Sequence, residues 1–301
     1  MFWNLLAWRV ELRQPVENLA DQLGDNPPHG DAERSSFPSR IATRANFIPP
    51  LFSIIVPTYN EERFLPRLLE SIRRQKFEDY EVIVADDSST DMTQSIARAY
   101  GARVVNNNGI GEFPSRNAAA AAAKGSILVF TGADALMPQT LLSSAASKFQ
   151  KDPMLAGIYC PTYPYDAPVW AKVEFAIFHV LNTFIYWITK EANASTAFFA
   201  VRTDLFRNTP GFQDTCFGDS TYTRQLSKTA RIRPCLDMVI FVSGRRTRMG
   251  MKDFNRHHIG LIMNVVLKPF RESRWLRAEN EYRNRVHSRL GQAPIQDRPK
   301  G

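Results

Sequence analysis

The chain has 301 residues, 44% of them hydrophobic and 23% charged, which allows one large or two small globular domains with a sizeable core. Lys and Arg (38) outnumber Asp and Glu (30), and the formal net charge of +8 favours anionic partners such as nucleotide phosphates, nucleic acid or an acidic membrane surface. The three scattered cysteines, Cys160, Cys216 and Cys235, show no metal-ligand spacing, which argues against a zinc site and indicates a reducing compartment.

Residues 1–50 are predicted to be an N-terminal helix and linker that precede the main domain. The apolar segment 1–10 lacks a basic leader and a small-residue cleavage site, so we expect no signal peptide. It is interpreted either as a helix docked on the body or partly disordered, or as a helix on a membrane surface, which its tryptophans favour. Residues 24–50 are rich in Pro, Ser, Asp and Arg, as linkers are. No uncharged apolar run reaches about 18 residues, so a membrane-spanning helix is not predicted.

The segment 52–62 carries the clearest local pattern of the chain. An apolar run from Phe52 to Val56 stops at Pro57, which predicts a buried strand that the proline ends. Asn60 is expected to cap the following helix, whose positive end suits acidic residues. The apolar positions of that helix fall on one face: Phe64, Leu65, Leu68, Leu69 and Ile72.

Strands and helices then alternate. A second strand at 81–85 ends in Asp86-Asp87, and further strands are predicted at 102–105 and 126–130. The intervening helices are expected at 90–100 and 115–124, with another that Pro138 opens at its first position. This alternation predicts an α/β fold with a Rossmann-type, mostly parallel sheet flanked by helices. Ligands of such sheets lie beyond the carboxyl ends of the strands, where residues 58–61 would line the crevice.

The pattern changes after about residue 157. The segment 169–189 is long and apolar, and we weigh two interpretations of it. It is either a buried helix over the sheet, or a helix whose aromatic residues enter a membrane interface while the basic tail contacts lipid head groups. Strands are expected at 197–201 and 238–242 and a helix at 219–228, and residues 251–301 are predicted to be a basic helical tail.

Acidic residues follow several of the predicted strand ends. Glu61, Asp87 and Asp134 stand where a nucleotide's base and ribose or a hard cation would be bound. A phosphate-binding Walker loop is missing from the sequence, and the lone Gly109-Ile110-Gly111 is a weak dinucleotide signal. The alternative is that Asp86, Asp87 and Asp91 only cap a turn and a helix.

Four segments together resemble the family-2 glycosyltransferases, which have the GT-A fold. They are Ile-Val-Pro-Thr-Tyr-Asn-Glu-Glu (55–62), Val-Ile-Val-Ala-Asp-Asp-Ser-Ser-Thr-Asp (82–91), Ser-Arg-Asn-Ala (115–118) and Leu-Val-Phe-Thr-Gly-Ala-Asp (128–134). The resemblance covers residues 51–250, which we take as the catalytic domain. It implies an enzyme that moves a sugar from a nucleotide-diphosphate sugar to an acceptor, usually with inversion and with a divalent metal, Mg or Mn.

The resemblance also implies roles for individual residues of the donor site. Its nucleoside-binding first loop corresponds to Pro57, Thr58, Asn60 and Glu61. Asp87 corresponds to the aspartate that meets the base. Arg116 corresponds to a residue beside the donor, where its guanidinium suits phosphate or sugar oxygens. The alternative for Arg116 is a solvated helix residue.

The metal motif of the family, Asp-x-Asp, is incomplete in this chain. Its first position is Gly132, whereas its second, the usual metal ligand, is Asp134. We expect the missing carboxylate to weaken metal binding. It also leaves open the alternative of a catalytically inactive nucleotide-sugar-binding or scaffold protein with the same fold.

The last family features concern catalysis. Asp219 corresponds to the general base, which must take the proton of a poorly nucleophilic sugar hydroxyl, while Gly218 replaces a glutamate that the family usually has before it. Arg245 and Arg246 resemble a late basic loop that closes over the pyrophosphate. The alternatives are a simple helix cap at Asp219 and a solvated basic face at the arginines.

The predicted function is therefore transfer of a glycosyl group to an acceptor hydroxyl, on a glycan or a lipid-linked acceptor. The expected location is the cytoplasm, with the inner face of a membrane as an alternative through peripheral contact. Nucleic acid is not expected as a partner, because the basic tail lacks interleaved aromatic platforms. The oligomeric state is not predicted.

Overall fold

A computed structural model describes residues 49–215 and 217–249, and the predicted tail at 251–301 and nearly all of the predicted extension at 1–50 lie outside this range. The strands are β1 (Phe52–Thr58), β2 (Tyr80–Asp86), β3 (Arg103–Asn106), β4 (Ile127–Thr131), β5 (Ala135–Leu136), β6 (Leu155–Tyr159), β7 (Thr162–Pro164), β8 (Phe198–Arg202), β9 (Arg231–Pro234) and β10 (Ile240–Val242). The helices are α1 (Leu65–Arg73), α2 (Thr93–Ala99), α3 (Glu112–Ala122), α4 (Leu141–Lys151), α5 (Val169–Thr189), α6 (Thr203–Arg207) and α7 (Gly218–Leu226), followed by a 3-10 segment (Gly244–Met249).

Seven strands form the main sheet, in the order β3-β2-β1-β4-β8-β6-β9. The pairs β1–β2, β2–β3, β1–β4 and β6–β9 are parallel, and only β8 runs antiparallel to its neighbours β4 and β6. The predicted α/β fold with a mostly parallel sheet is confirmed. A smaller sheet has the strand order β5-β10-β7, and the 3-10 segment follows β10 in the chain.

Apolar clusters cover both faces of the main sheet. One cluster includes the predicted face of α1, where Leu65, Leu68, Leu69 and Ile72 are fully buried. The other packs α3 against the sheet and contains an aromatic group: Phe130, Phe199, Phe206, Phe212 and Tyr222. These two layers fix the carboxyl ends of β1, β2 and β4 at one edge, where polar turns follow.

Three local predictions were wrong. β1 continues through Pro57 to Thr58, because its ladder with β4 ends at Ile55 and the proline interrupts only an unpaired side. Asn60 does not cap α1: its φ is +53° and the helix begins after Phe64. The helix after Pro138 begins only at Leu141.

The apolar helix α5 is not buried over the sheet. Of its residues only Ala171 and Asn182 are buried. The exposed large side chains share one face: Val169, Val173, Ile177, Val180, Leu181, Phe184, Trp187 and Ile188. None of the helices described at 49–249 has the length and hydropathy that crossing a membrane requires.

Candidate active site

The first two polar turns are joined at the carboxyl ends of β1 and β2. The Thr58 hydroxyl donates to Asp86 Oδ1 at 3.0 Å, and the Asp87 amide donates to the Thr58 carbonyl at 2.8 Å. Asp86 is fully buried and also accepts a hydrogen bond from Gln94 at 2.8 Å. Asp86 therefore holds the turn together, and the predicted convergence of Thr58 and Asp87 is present.

Asp87 connects this edge to the start of α3. Its carboxylate accepts the Gly111 amide at 3.1 Å and the Ser115 hydroxyl at 3.2 Å. Gly111 has a φ of +107°, a conformation that favours glycine and directs its N–H at the carboxylate. The weak Gly-x-Gly signal of the sequence thus marks a turn that positions Asp87.

Asn60 bridges the first two turns. Its left-handed backbone, which asparagine tolerates, lets its amide N–H donate to Ser89 Oγ at 2.9 Å while its side-chain oxygen accepts the Thr90 amide at 2.9 Å. The role of Asn60 in the structure is therefore to fix the shape of the first loop.

Glu61, Asp134 and Arg245 form a charged group, which we call the crevice triad. The two terminal nitrogens of Arg245 donate to the two carboxylate oxygens of Glu61, each at 2.8 Å. Arg245 Nε lies 2.9 Å from Asp134 Oδ2, but its N–H makes no hydrogen bond of good geometry, so this contact is an ion pair. The guanidinium carbon also lies 4.7 Å from the ring centroid of Phe64.

The three side chains of the triad are largely removed from solvent. Their exposed fractions are 7% for Glu61, 17% for Asp134 and 15% for Arg245. Burial alone would lower the pKa of Arg245, but the carboxylates of Asp134 and Glu61 outweigh it and raise that pKa. The arginine is therefore a permanent cation between two acids at the carboxyl edge of the sheet.

The metal-motif turn between β4 and β5 is held from two sides. The Asp134 carbonyl accepts the amide of Ser243 at 3.0 Å, and Ser243 directly precedes the 3-10 segment. Arg116 is 2% exposed and donates to the Thr131 carbonyl at 3.0 Å and to Glu112 at 3.0 Å. The solvated alternative for Arg116 is wrong. Its Nε lacks a hydrogen-bond partner among the described residues.

Asp219 lies in the first turn of α7. Its Oδ2 accepts the Thr196 amide at 3.1 Å, while Oδ1 accepts the amide of Ser220 at 2.8 Å. The N-cap residue of α7 is Phe217, so Asp219 is not itself the N-cap, although it accepts one amide of the first turn. Asp219 remains half-buried, and Thr196 positions one of its oxygens.

Glycines shape the approach to Asp219. A Cβ at Gly218 would lie 2.3 Å from the Gln213 carbonyl oxygen, so the glutamate of the family pattern has no room here.

Sequence reasoning missed Asn117, whose side-chain amide donates to the Phe212 carbonyl at 2.8 Å and accepts the Phe212 amide at 3.0 Å. Its place in the Ser-Arg-Asn-Ala motif was the available signal.

The implied metal site has few protein ligands. Among residues 49–215 and 217–249, no cluster of three or more His, Cys, Asp or Glu side chains could hold an ion. Asp134 offers one carboxylate, and Gly132 offers none. The residues fit a hard cation only if a diphosphate and water complete its shell. Arg246 lies on the 3-10 segment, but its side chain is outside the described residues.

The sequence profile of the family described as Glycosyl transferase family 2 matches residues 53–209, more than half of the 301 residues. The chain belongs to this family. The predicted resemblance to this family is confirmed.

Curated relatives match shorter segments. Poly(ribitol-phosphate) beta-N-acetylglucosaminyltransferase TarS of Staphylococcus aureus is 36% identical over 104 residues, 32% of this chain and 18% of TarS. Validoxylamine A glucosyltransferase of Streptomyces hygroscopicus subsp. limoneus is 34% identical over 126 residues, 39% of this chain and 28% of that enzyme. The chain thus spans less than a third of the length of these relatives.

Solved structures share the fold. Mannosyltransferase PcManGT from Pyrobaculum calidifontis, in complex with GDP-Man and Mn²⁺, has a TM-score of 0.59 and 23% identity, covering 80% of this chain and 70% of its own. Staphylococcus aureus TarS 1–349 in complex with UDP-GlcNAc has a TM-score of 0.51 and 21% identity, covering 79% and 72%. The predicted GT-A-like architecture is confirmed by these similarities.

Proposed function

We propose that this protein transfers a glycosyl group from a nucleotide-diphosphate sugar to an acceptor hydroxyl, with inversion and with the help of a divalent metal. The observation that carries the proposal is the meeting of Glu61, Asp134 and Arg245 at the carboxyl edge of the sheet, within a chain of this family. Ligands of open α/β sheets bind at this edge. The PcManGT and TarS complexes, with GDP-Man and UDP-GlcNAc, support a nucleotide-sugar donor.

The nucleoside would bind over the joined first turns. Pro57 and Thr58 end β1 there, and Asn60 and Glu61 form the loop beside them. Asp87 would receive the N–H groups of the base, since its carboxylate already accepts hydrogen bonds at this edge. Arg116 would support the site indirectly: it donates to the Thr131 carbonyl and thereby positions the turn that carries Asp134.

A divalent ion, Mg or Mn, would be held by Asp134 together with the donor's diphosphate. Such an ion, when bound, neutralises the charge that develops on the departing phosphate. Mn²⁺ is named in the complexes of PcManGT and of Mycobacterium tuberculosis glucosyl-3-phosphoglycerate synthase, which has a TM-score of 0.52 and 17% identity over 73% of this chain and 81% of its own. Arg245 and Arg246 would add positive charge from the 3-10 segment.

Asp219 would act as the general base. The acceptor oxygen forms a bond to the anomeric carbon as the bond from that carbon to the diphosphate oxygen breaks, and the hydroxyl proton passes to Asp219. In-line displacement on the face opposite the leaving group inverts the configuration. The Thr196 amide, which donates to Oδ2, would hold the carboxylate in place for this transfer.

The acceptor would be a glycan or a lipid-linked molecule, with the enzyme in peripheral contact with the inner face of a membrane. The exposed face of α5 supports this contact, because Phe184, Trp187 and Ile188 are 63%, 57% and 67% exposed. Lys190 follows the helix and lies 5.5 Å from the Trp187 ring, where it suits anionic head groups. A cytoplasmic location also agrees with the buried unpaired thiols of Cys160 and Cys235.

Membrane contact is tested by sedimentation with vesicles of phosphatidylcholine and phosphatidylglycerol. We expect the wild type to pellet with anionic vesicles and Trp187→Glu to remain in the supernatant. Met154→Glu is the matched control, because Met154 is 79% exposed but lies outside α5. Equal pelleting of all three proteins would contradict the contact.

A catalytically inactive nucleotide-sugar-binding protein is the second candidate. Gly132 favours it, because the metal motif lacks one carboxylate, and Gly218 favours it, because no glutamate fits there. The presence of Asp134, the proposed metal ligand, and of Asp219, the proposed base, favours an active enzyme.

Thermal-shift measurements with UDP, GDP and their sugars test donor binding. A ligand that binds only the folded state raises its apparent stability. We expect at least one nucleotide diphosphate to raise Tm, and more so with Mn²⁺ or Mg²⁺ present. If no nucleotide or nucleotide sugar shifts Tm under any of these conditions, the proposed donor site is wrong.

A further inference from the structure

The crevice triad places a guanidinium in contact with the carboxylate that the proposed metal needs. Arg245 Nε lies 2.9 Å from Asp134 Oδ2, and its other nitrogens are both engaged by Glu61. The residues are far apart in sequence, since Glu61 and Arg245 are separated by 184 positions. Their meeting is therefore produced by the fold and not by a local turn.

The surroundings hold the guanidinium in this position. One face of it lies 4.7 Å from the Phe64 centroid, at the start of α1. The Arg245 amide donates to Ser243 Oγ at 3.2 Å, and the preceding Gly244 amide donates to Asp166. Gly244 packs so closely on Ala167 that a Cβ there would lie 2.7 Å from the Ala167 Cβ. The backbone that carries Arg245 is thus fixed, and movement of Arg245 requires rotation of its side chain.

A cation at Asp134 and Arg245 in its present position compete for the same carboxylate, of which Arg245 contacts Oδ2. A bound divalent ion lies about 2.0–2.6 Å from a carboxylate oxygen, whereas the guanidinium now occupies the space beside that oxygen. Two positive groups in such proximity repel each other strongly in a site with little solvent. The two carboxylates and one guanidinium together carry one net negative charge, which attracts a divalent ion only weakly.

We propose that Arg245 is a resident counter-ion of the donor site, which must leave Asp134 before a divalent cation can bind there. The inference rests on the proposed function, because it takes Asp134 as the metal-binding carboxylate. The donor's diphosphate supplies the partner that draws the arginine away, since a guanidinium fork matches phosphate oxygens. Metal and nucleotide diphosphate consequently assist each other's binding, and the protein alone binds metal weakly.

The same arrangement gives Glu61 a second role. While Arg245 is in place, Glu61 holds it by a two-point contact, so that the guanidinium compensates part of the negative charge of the crevice. Once the arginine has moved to phosphate, the Glu61 carboxylate becomes an acceptor for donor hydroxyl groups. Glu61 is thus a positioning residue for Arg245 in the resting protein.

The test measures Mn²⁺ binding to the protein without nucleotide, by the loss of the electron paramagnetic resonance signal of aqueous Mn²⁺. We expect weak binding by the wild type and binding tighter by about tenfold or more in Arg245→Gln, a size typical of coupling between sites. Asp134→Asn in the Arg245→Gln background should abolish the gain. Turnover is not used, so a lack of transferase activity would contradict the proposed function without deciding this inference.

Arg63→Gln is the matched control. Arg63 is exposed and lies 5.7 Å from the centroid of the same Phe64 ring, so its loss removes a nearby charge and leaves the triad intact. Its Mn²⁺ affinity should equal that of the wild type. Should Arg245→Gln fail to fold, Glu61→Gln/Arg245→Gln, compared with Glu61→Gln, carries the same prediction with less repulsion between acids. Unchanged affinity on loss of Arg245, an equal gain in Arg63→Gln, or a gain that survives Asp134→Asn would each overturn the proposal.

Discussion

His179 predicts a specific loss of stability in mild acid. Its Nε2 accepts the Thr162 amide at 3.0 Å and lies 2.9 Å from the Thr162 hydroxyl, which attaches α5 to β7. A nitrogen that accepts an N–H must be unprotonated, so the folded state holds the neutral ring. Burial lowers the pKa of His179 from 6.5 to about 4.

The sign follows from the lowered pKa. Between pH 6.5 and 4 the His179 side chain is protonated in the unfolded chain and neutral in the folded protein. The free energy of unfolding therefore falls as the pH falls through this window. Between pH 7.5 and 5.0 the difference amounts to about 2 kcal/mol, and it approaches about 3 kcal/mol below pH 4. His179 is only partly buried as a residue, so these values are upper limits.

Urea denaturation at pH 7.5 and pH 5.0 measures the effect. We expect the wild type to lose up to about 2 kcal/mol more than His179→Gln, because glutamine still accepts the Thr162 amide and does not titrate. If the wild type and His179→Gln lose equal stability, the neutral buried ring is the wrong account of this contact.

Three substitutions test further residues of the candidate site. Asp87→Ala should weaken nucleotide diphosphate binding by about 1–3 kcal/mol, the cost of an unmet buried partner, and unchanged affinity in titration calorimetry would remove Asp87 from the site. Gly132→Asp should tighten metal-dependent binding of the nucleotide. Its Cβ would lie 3.0 Å from Asp134 Oδ1, so the Asp134 side chain must shift slightly. If the Mn²⁺-dependent affinity does not increase, the assignment of residues 132–134 as the metal motif is wrong. Gly218→Ala should destabilise the fold by about 1–3 kcal/mol or more, because its Cβ would meet the Gln213 carbonyl, and an unchanged Tm would contradict that contact.

The first half of the sheet was predictable because its information is local. The strands β1, β2 and β4 are short, mostly apolar runs with a polar turn after each, and the buried face of α1 repeats at the helical period. Parallel strands bring their carboxyl ends to one edge, so the joining of Thr58, Asp86 and Asp87 followed from the alternation alone.

Other features depend on contacts between distant segments. The Asn117–Phe212 amide pair joins positions 95 apart, and Arg245 meets Glu61 across 184, so neither leaves a signal in a local window. β6 and β9 were missed because their pairing is set by the neighbours that the fold supplies. The exposure of α5 could not be predicted for another reason. An apolar helix can be covered by the sheet or by another surface, and its amino-acid composition is the same in both cases.

The central claim, glycosyl transfer with Asp219 as the base, is tested most directly by comparing wild type and Asp219→Asn. Release of nucleoside diphosphate from the donor that binds gives the rate, and calorimetry gives donor affinity. The substituted side chain keeps one oxygen, which can accept the Thr196 amide, but its amide nitrogen cannot accept the Ser220 amide. Stability should therefore fall by only about 1 kcal/mol and donor affinity should hold, whereas turnover should fall about 10²–10⁴-fold. Asp204→Asn, which changes an exposed acid in the first turn of α6, should leave the rate unchanged. Full turnover in Asp219→Asn would contradict the mechanism, and a wild type without turnover on any donor or acceptor would contradict the enzyme itself.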